Sequence, residues 1–300
     1  MSVFESEFFG NFVENICKSL YEALYYNCEK NFNKIFDILN YRVAWAGKNI
    51  GQSAKEWNAG AFSQVESLAE NACMPIAGCV IAFIFCWELI HLCQENNRMQ
   101  NVKPENIMFV LLKFTMCLMT CVYSFDLVMG IYSLGSWAAE KISGGTAGTF
   151  GSGMTLNDVV PAIPAAYNFD LVIELAGVLV VLCICRLLCN VCAVIIYVRV
   201  NMWFLELLVY AAPAAIPMAT FFNKEWGQMG MNYARKIIAV GFEGFFMLLM
   251  FSLYGGIINN ISNASTDFVE MMTMMCGCGM GLILLLFKAG TISSSIFNAH

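Results

Sequence analysis

Eight ionisable side chains interrupt long apolar runs or stand at their edges: Glu88, Lys113, Asp126, Glu174, Arg186, Glu206, Glu243 and Lys288. A charge facing lipid at mid-bilayer costs about 2.5–3.5 kcal/mol on insertion scales, so such residues imply interhelical pairs, a hydrated lumen or snorkelling to the surface. Glu88, Lys113, Glu174 and Lys288 lie near the ends of apolar runs, where snorkelling is the simpler reading. Asp126, Arg186 and Glu243 lie deeper and, with Glu206, form the candidate set of buried polar or lumen-facing residues. Arg186 is expected to be compensated by Asp126, Glu206 or Glu243 on another span.

None of these groups forms a catalytic constellation. The histidines are His91 and His300, and no His-Glu-x-x-His helix, Walker loop or strand-turn-helix setting for a glycine loop is present. Asp126 alone does not make an intramembrane aspartyl dyad. Most of the fourteen cysteines fall inside apolar runs, including Cys183-x-Cys185 and Cys189-x-x-Cys192. Without histidine partners they read as small packing residues rather than a metal site or a disulfide framework. The expectation is a non-enzyme with no cofactor and no metal.

The elements that carry these residues belong to a membrane. The chain is 59 % hydrophobic and 13 % charged, with a mean hydropathy of +0.65, which excludes an ordinary soluble domain. Its net charge of −6 argues against a basic nucleic-acid-binding face. Glu5 and Glu7 stand where a secretory signal would carry lysine, so no cleaved leader is expected.

The pattern predicts an all-α polytopic membrane protein with five to six transmembrane helices. Residues 1–71 form an amphipathic region whose Phe4, Phe8, Phe12, Ile16, Leu20 and Leu24 recur every four residues. No stretch of it reaches the ~20 apolar residues of a span, so it is expected in the headgroup plane or against sister subunits. Residues 72–132 hold two spans, at 72–93 and from Ile107 to about Tyr132. Residues 133–170, rich in glycine and containing Pro161 and Pro164, read as an irregular loop outside the bilayer. Residues 171–300 form a C-terminal bundle. Within it, only Arg199, Val200 and Asn201 separate the apolar runs 171–198 and 202–222, and the second run is broken by Pro213 and Pro217.

The five- and six-crossing readings orient the chain differently under the positive-inside rule. Six crossings place the N-terminal region inside. Five crossings gather Arg98, Lys103, Lys224, Arg235, Lys236 and Lys288 on one side and leave the N-terminal region and the glycine-rich loop outside. The polar segment 223–236 is expected in the cytoplasm, with Lys224, Glu225, Trp226, Arg235 and Lys236 as candidate contacts for a partner. Gly277-x-Gly279-x-Gly281, with Gly255 and Gly256, is expected to permit close helix approach within the subunit.

Several stretches carry a family resemblance. Met74-Pro-Ile-Ala-Gly78, Trp87-Glu-Leu-Ile90 and Glu95-Asn-Asn97 resemble the first-span region of TrbL-like conjugal transfer proteins of Gram-positive integrative elements. Ile216-Pro-Met-Ala-Thr220, Asn223-Lys-Glu-Trp-Gly-Gln-Met-Gly230, Asn232-Tyr233, Ala239-Val-Gly-Phe-Glu-Gly-Phe245, Leu286-Phe-Lys-Ala-Gly290 and Ser295-Ile-Phe-Asn-Ala-His300 are similar to that family's C-terminal pattern. The resemblance implies a channel or assembly subunit of a type IV secretion system in the bacterial cytoplasmic membrane. It implies a conjugative ATPase, a coupling protein and further copies of the chain as partners, membrane lipid around it, and transferred DNA as a transient one. It also implies an N-terminus and long loop outside the cytoplasm, favouring five crossings. The chain departs from the pattern at Ala215, where an Ala-Pro-Ile-Pro run would have its first proline, and at Glu243, where an uncharged glutamine is usual. A small-solute or ion transporter is the alternative that the proline-broken run and buried charges would fit, although residues 72–132 and 171–258 show no internal symmetry.

Overall fold

The computed structural model describes residues 2–95, 104–146, 156, 160, 164, 167–264 and 268–299. Among them every long element is helical: α1 (Ser2–Ile50), α2 (Ala54–Trp57), α3 (Ala59–Leu68), α4 (Met74–Glu95), α5 (Pro104–Val122), α6 (Ser124–Thr146), α7 (Phe169–Ala211), α8 (Ala215–Met218), α9 (Gly227–Ala264) and α10 (Phe268–Ile296). Five stretches are long and apolar enough to cross a membrane: Ala59–Gln94, Glu105–Val122, Phe169–Ala211, Gly227–Ile258 and Phe268–Ile296. The chain is an all-α polytopic membrane protein.

Prolines mark the joins. Pro104 opens α5, where its missing N–H costs nothing. Pro75 sits in the first turn of α4, directly after a π-helical turn over Ala69–Cys73. A proline ring clashes with the carbonyl four residues earlier, here Asn71, and the widened turn relieves that clash. Arg199 is not a join: α7 runs through it without interruption for 43 residues, about 64 Å at ~1.5 Å per residue. Lacking glycine or proline before Pro213, the backbone has no reason to break, so the runs 171–198 and 202–222 are not two antiparallel spans. This removes the extra crossing of the six-span reading. The helix ends at Ala211, and Pro213 and Pro217 then confine the chain to turns and the single turn of α8.

Two expectations on the N-terminal half are corrected. Residues 107–132 do not form one helix, because Tyr123 is a turn residue between α5 and α6. Helix α6 then continues to Thr146, well into the stretch read as loop; most of residues 147–166 lies outside the described residues.

The chain divides into two compact units. The first comprises Met1–Ala46, Gly145–Val198 and Met250–Leu286. In it α1 lies against its own chain: the Cys28 thiol donates to the Leu175 carbonyl at 3.8 Å, the Phe32 and Phe268 rings are 6.3 Å apart, and Trp45 meets Tyr197 at 5.0 Å. The inward face is not the four-residue stripe of the sequence reading. Cys17, Tyr21, Cys28, Phe32, Ile35 and Leu39 are buried, whereas Phe12, Ile16 and Leu20 are exposed. The buried set is spaced by three, four or seven residues, the seam of a helix packed along its length, so α1 is an internal packing element of this unit. Burial also pushes the Cys28 thiol up to about 11, with Cys183 adding to the shift.

The second unit comprises Gly47–Gly144, Arg199–Leu249 and Phe287–His300. Its core holds Trp203, whose indole donates to the Val240 carbonyl at 2.8 Å, and Tyr132, whose hydroxyl donates to the Gln52 carbonyl at 2.6 Å. Trp57 stacks on Phe204 at 4.6 Å and donates to the Asn201 side-chain oxygen. The turn into α2 is set by a capping box, with the Ser53 hydroxyl accepting from the Glu56 amide and the Glu56 carboxylate accepting from the Ser53 amide. The closest backbone approach joins α6 to α9, where a Cβ on Gly135 would overlap the Gly241 carbonyl. The glycines singled out in α10 are different: a Cβ at Gly277 or Gly281 would meet nothing, and only at Gly279 would one reach a neighbour, the Tyr254 hydroxyl at 3.1 Å.

Candidate functional site

Two polar centres lie within the second unit. The deeper one is an ion pair between Arg199 on α7 and Glu243 on α9, with side chains 10 % and 1 % exposed. Gly290 on α10 gives the carboxylate its room, since a Cβ there would lie 3.1 Å from both carboxylate oxygens. One turn along the same two helices, the buried Ser293 hydroxyl donates to the Ala239 carbonyl at 2.5 Å. Glu243 is thus enclosed and charge-compensated, which accounts for an acid in a span.

The second centre is a cradle where the ends of α4 and α5 meet the turn before α9. Asn223 is buried and organises it. Its Oδ1 accepts from the Glu225 and Trp226 amides at 2.8 and 2.9 Å, and its Nδ2 donates to Glu88 Oε1 at 3.1 Å. The Trp87 indole donates to Glu225 Oε2 at 2.9 Å, and His91 Nε2 lies 3.4 Å from Glu225 Oε1. Trp226 stacks on Phe83 at 5.5 Å and leans on Trp87 at 6.0 Å. Trp87, Glu88, His91, Asn223 and Glu225 border a polar cavity of about 310 Å³ that also takes in Lys113 and Lys224. The aromatic and polar residues of such a belt suit the membrane–water boundary.

Of the residues expected to be buried, only Glu243 is. Arg186 is half-buried and does not meet a carboxylate: its Nη1 donates to Asn31 Oδ1 on α1 at 2.7 Å within the first unit. The expected compensation by Asp126, Glu206 or Glu243 is therefore corrected. A neutral amide at hydrogen-bond distance takes one N–H group of a guanidinium that the protein covers only in part. Asp126 is exposed on α6, and Glu206 is half-buried on α7. Glu174 and Lys288 are exposed, whereas Glu88 and Lys113 turn into the cradle.

In the segment 223–236, Lys224 and Glu225 are exposed and Trp226 is half-buried in the aromatic stack. Arg235 is half-buried, and Lys236 lies over the Tyr210 ring at 5.7 Å and donates to the Ser294 hydroxyl at 3.4 Å. Arg199 and Asn223 are the residues that sequence reasoning missed. In the sequence Arg199 separates two apolar runs, and the lack of glycine or proline beside it already argues against a sharp reversal; that same lack is the signal of a charge inside a continuous helix. Among the described residues no group of three His, Cys, Asp or Glu side chains could hold a metal ion.

Residues 39–215 match the family described as TrbL/VirB6 plasmid conjugal transfer like protein. The chain belongs to this family. No curated protein and no solved structure matches it. The matched region runs from the end of α1 to the first turn of α8 and contains Arg199; Glu243 and the 223–226 side of the cradle lie beyond it. Membership makes the chain a component of a conjugal transfer, or type IV secretion, system rather than a member of a known enzyme family, and a multi-pass protein associated with the other subunits of that system.

Proposed function

We propose that the chain is a channel and assembly subunit of a conjugative type IV secretion system, set in the bacterial cytoplasmic membrane of a Gram-positive host of an integrative element. It helps export a DNA–relaxase complex using energy from a membrane-associated ATPase and a coupling protein. The family match over residues 39–215 carries this reading. The sequence agrees with it, having spans and polar groups but no Walker motif, so energy must come from partners. In this reading the chain crosses five times with its N-terminus outside. Segment 223–236 faces the cytoplasm, offering Lys224, Glu225, Arg235 and Lys236 to the ATPase, and copies of the chain assemble together.

Deletion of the gene abolishes transfer of its element and leaves relaxase nicking intact, because nicking precedes export. Wild-type transfer in the deletion strain overturns the proposal, and loss of solute uptake in that strain assigns a transporter instead. In a cysteine-light variant carrying Gln228→Cys, an impermeant thiol reagent leaves position 228 unlabelled in intact cells and labels it after permeabilisation. Labelling in intact cells reverses the orientation.

A further inference from the structure

Lys113 stands on the wrong face of its helix for a residue that simply escapes to water. The inward stripe of α5 is Val110, Cys117 and Cys121, all buried, and Lys113 lies in line with it, half-buried. Three contacts hold that face in place: the Cys117 thiol donates to the Ala219 carbonyl at 2.9 Å, the Cys121 thiol donates to the Ala215 carbonyl at 3.4 Å, and Phe114 meets Phe85 of α4 at 4.6 Å. The ammonium has no hydrogen-bond or ion-pair partner among the described residues, and neither has that of Lys224. An uncompensated cation on the inner face of a candidate span is costly unless an anion joins it.

The surroundings of Lys113 specify that anion. Lys113, Glu88, Val110 and Asn223 line both the polar cavity and a narrow apolar crevice beneath it, bounded by Ile81, Ile84 and Phe85. The cavity carries both signs of charge, with Lys113 and Lys224 against Glu88 and Glu225. A ligand with a phosphate, a nearby primary ammonium and an apolar tail matches the two lysines, the two carboxylates and the crevice together. We infer that the cradle between α4, α5 and residues 219–225 binds one amine-headed glycerophospholipid. Its phosphate lies at Lys113 and Lys224, its ammonium donates to Glu88 and Glu225, and its first methylenes enter the crevice. A phosphatidylglycerol headgroup lacks the cation for the carboxylates, and a choline headgroup lacks the N–H donors. The inference does not rest on the secretion reading, although it shares Lys224 and Glu225 with the ATPase contact proposed there, so lipid and ATPase compete for those two residues.

Native mass spectrometry of the full chain in detergent tests this with phosphatidylethanolamine, phosphatidylglycerol, phosphatidylcholine, glycerophosphoethanolamine and inorganic phosphate as probes. The expected result is one tightly held phosphatidylethanolamine per chain, bound at least tenfold more tightly than the other two lipids. Lys113→Met removes the preference and Lys113→Arg keeps it. Because Lys113→Met takes a charge out of an apolar helix, its insertion is favoured, and an unchanged circular dichroism spectrum ties the loss to the site. Equal binding of the three lipids, or an unaltered preference in Lys113→Met, overturns the inference. Binding of glycerophosphoethanolamine or phosphate as tight as that of the lipid also overturns it, and makes the cradle a site for a soluble phosphate compound.

Discussion

Arg186 and Arg199 lie on the same helix, thirteen positions apart in the sequence, and meet the cost of a buried guanidinium in different ways. Arg199 is nearly sealed and faces a carboxylate that is itself 1 % exposed. Arg186 keeps contact with the surface and uses a neutral amide. A charge enclosed by protein on all sides needs an opposite charge, whereas one enclosed on one side needs only an acceptor for the N–H groups turned inward. The carboxylates show the same contrast. Glu243 is enclosed, while Glu56 lies in water, where its part in the capping box holds its pKa below the usual carboxylate range.

The sharpest way to break this contrast is to remove one member of the sealed pair. Arg199→Ala or Glu243→Ala leaves the other charge stranded and is expected to cost about 3–5 kcal/mol, read as loss of the protein from membranes and a lower melting temperature in detergent. The double exchange Arg199→Glu with Glu243→Arg should recover part of that loss, and no recovery would show that the surroundings, rather than the pair, set the cost. Next is the half-buried arginine, Arg186. Arg186→Met or Asn31→Leu is expected to cost about 1.5–3 kcal/mol, the worth of a hydrogen bond to a charged group. Neutralising Asp126, Glu206 or Glu243 should not rescue Arg186→Met, and a rescue in the same melting assay would restore the carboxylate partner. Gly290→Ala crowds the Glu243 carboxylate and should cost about 1–3 kcal/mol through overpacking; the same change at Gly277, whose Cβ would meet nothing, should be silent.

The smallest effect belongs to Glu56. Because its folded-state pKa is depressed, its contribution is present above the unfolded carboxylate pKa of ~4.3 and disappears as pH falls through the folded value. Ser53→Ala should raise the Glu56 titration midpoint, measured by nuclear magnetic resonance, toward the ordinary value. The Ser53 backbone N–H, the larger cause of the depression, survives this change, so the midpoint moves only part of the way, and an unmoved midpoint would assign the depression to that N–H alone.

The spans were legible because twenty apolar residues in a row have few alternatives, and the end of α7 was legible because Pro213 and Pro217 remove backbone donors. The partners of the charges were not. Glu243 is 44 positions from Arg199 and Arg186 is 155 from Asn31, and hydropathy ranks residues by depth without saying which helices touch. The face of α1 was misread for a related reason. Phe12, Ile16 and Leu20 are the more apolar stripe, yet Cys17, Tyr21 and Cys28 occupy the inner one, because the shape of the neighbouring helices decides which stripe is covered. The approach of Gly135 to Gly241 left little signature either: Gly135 has Ala139 four positions on, but Gly241 has no small residue at that spacing, and such a spacing does not name the helix it meets.

The Asn223 amide is also directional. Two backbone N–H groups hold its oxygen, so the group cannot rotate end for end without abandoning both, and only the NH₂ is presented to Glu88. Hydrolysis of that one amide to an acid would leave the heavy-atom outline nearly unchanged while turning a donor into a second carboxylate oxygen against the first. The join between α4 and the turn before α9 would then hold one repulsive contact, Glu88 against position 223, beside the Trp87–Glu225 hydrogen bond and the Phe83–Trp226 stack that remain.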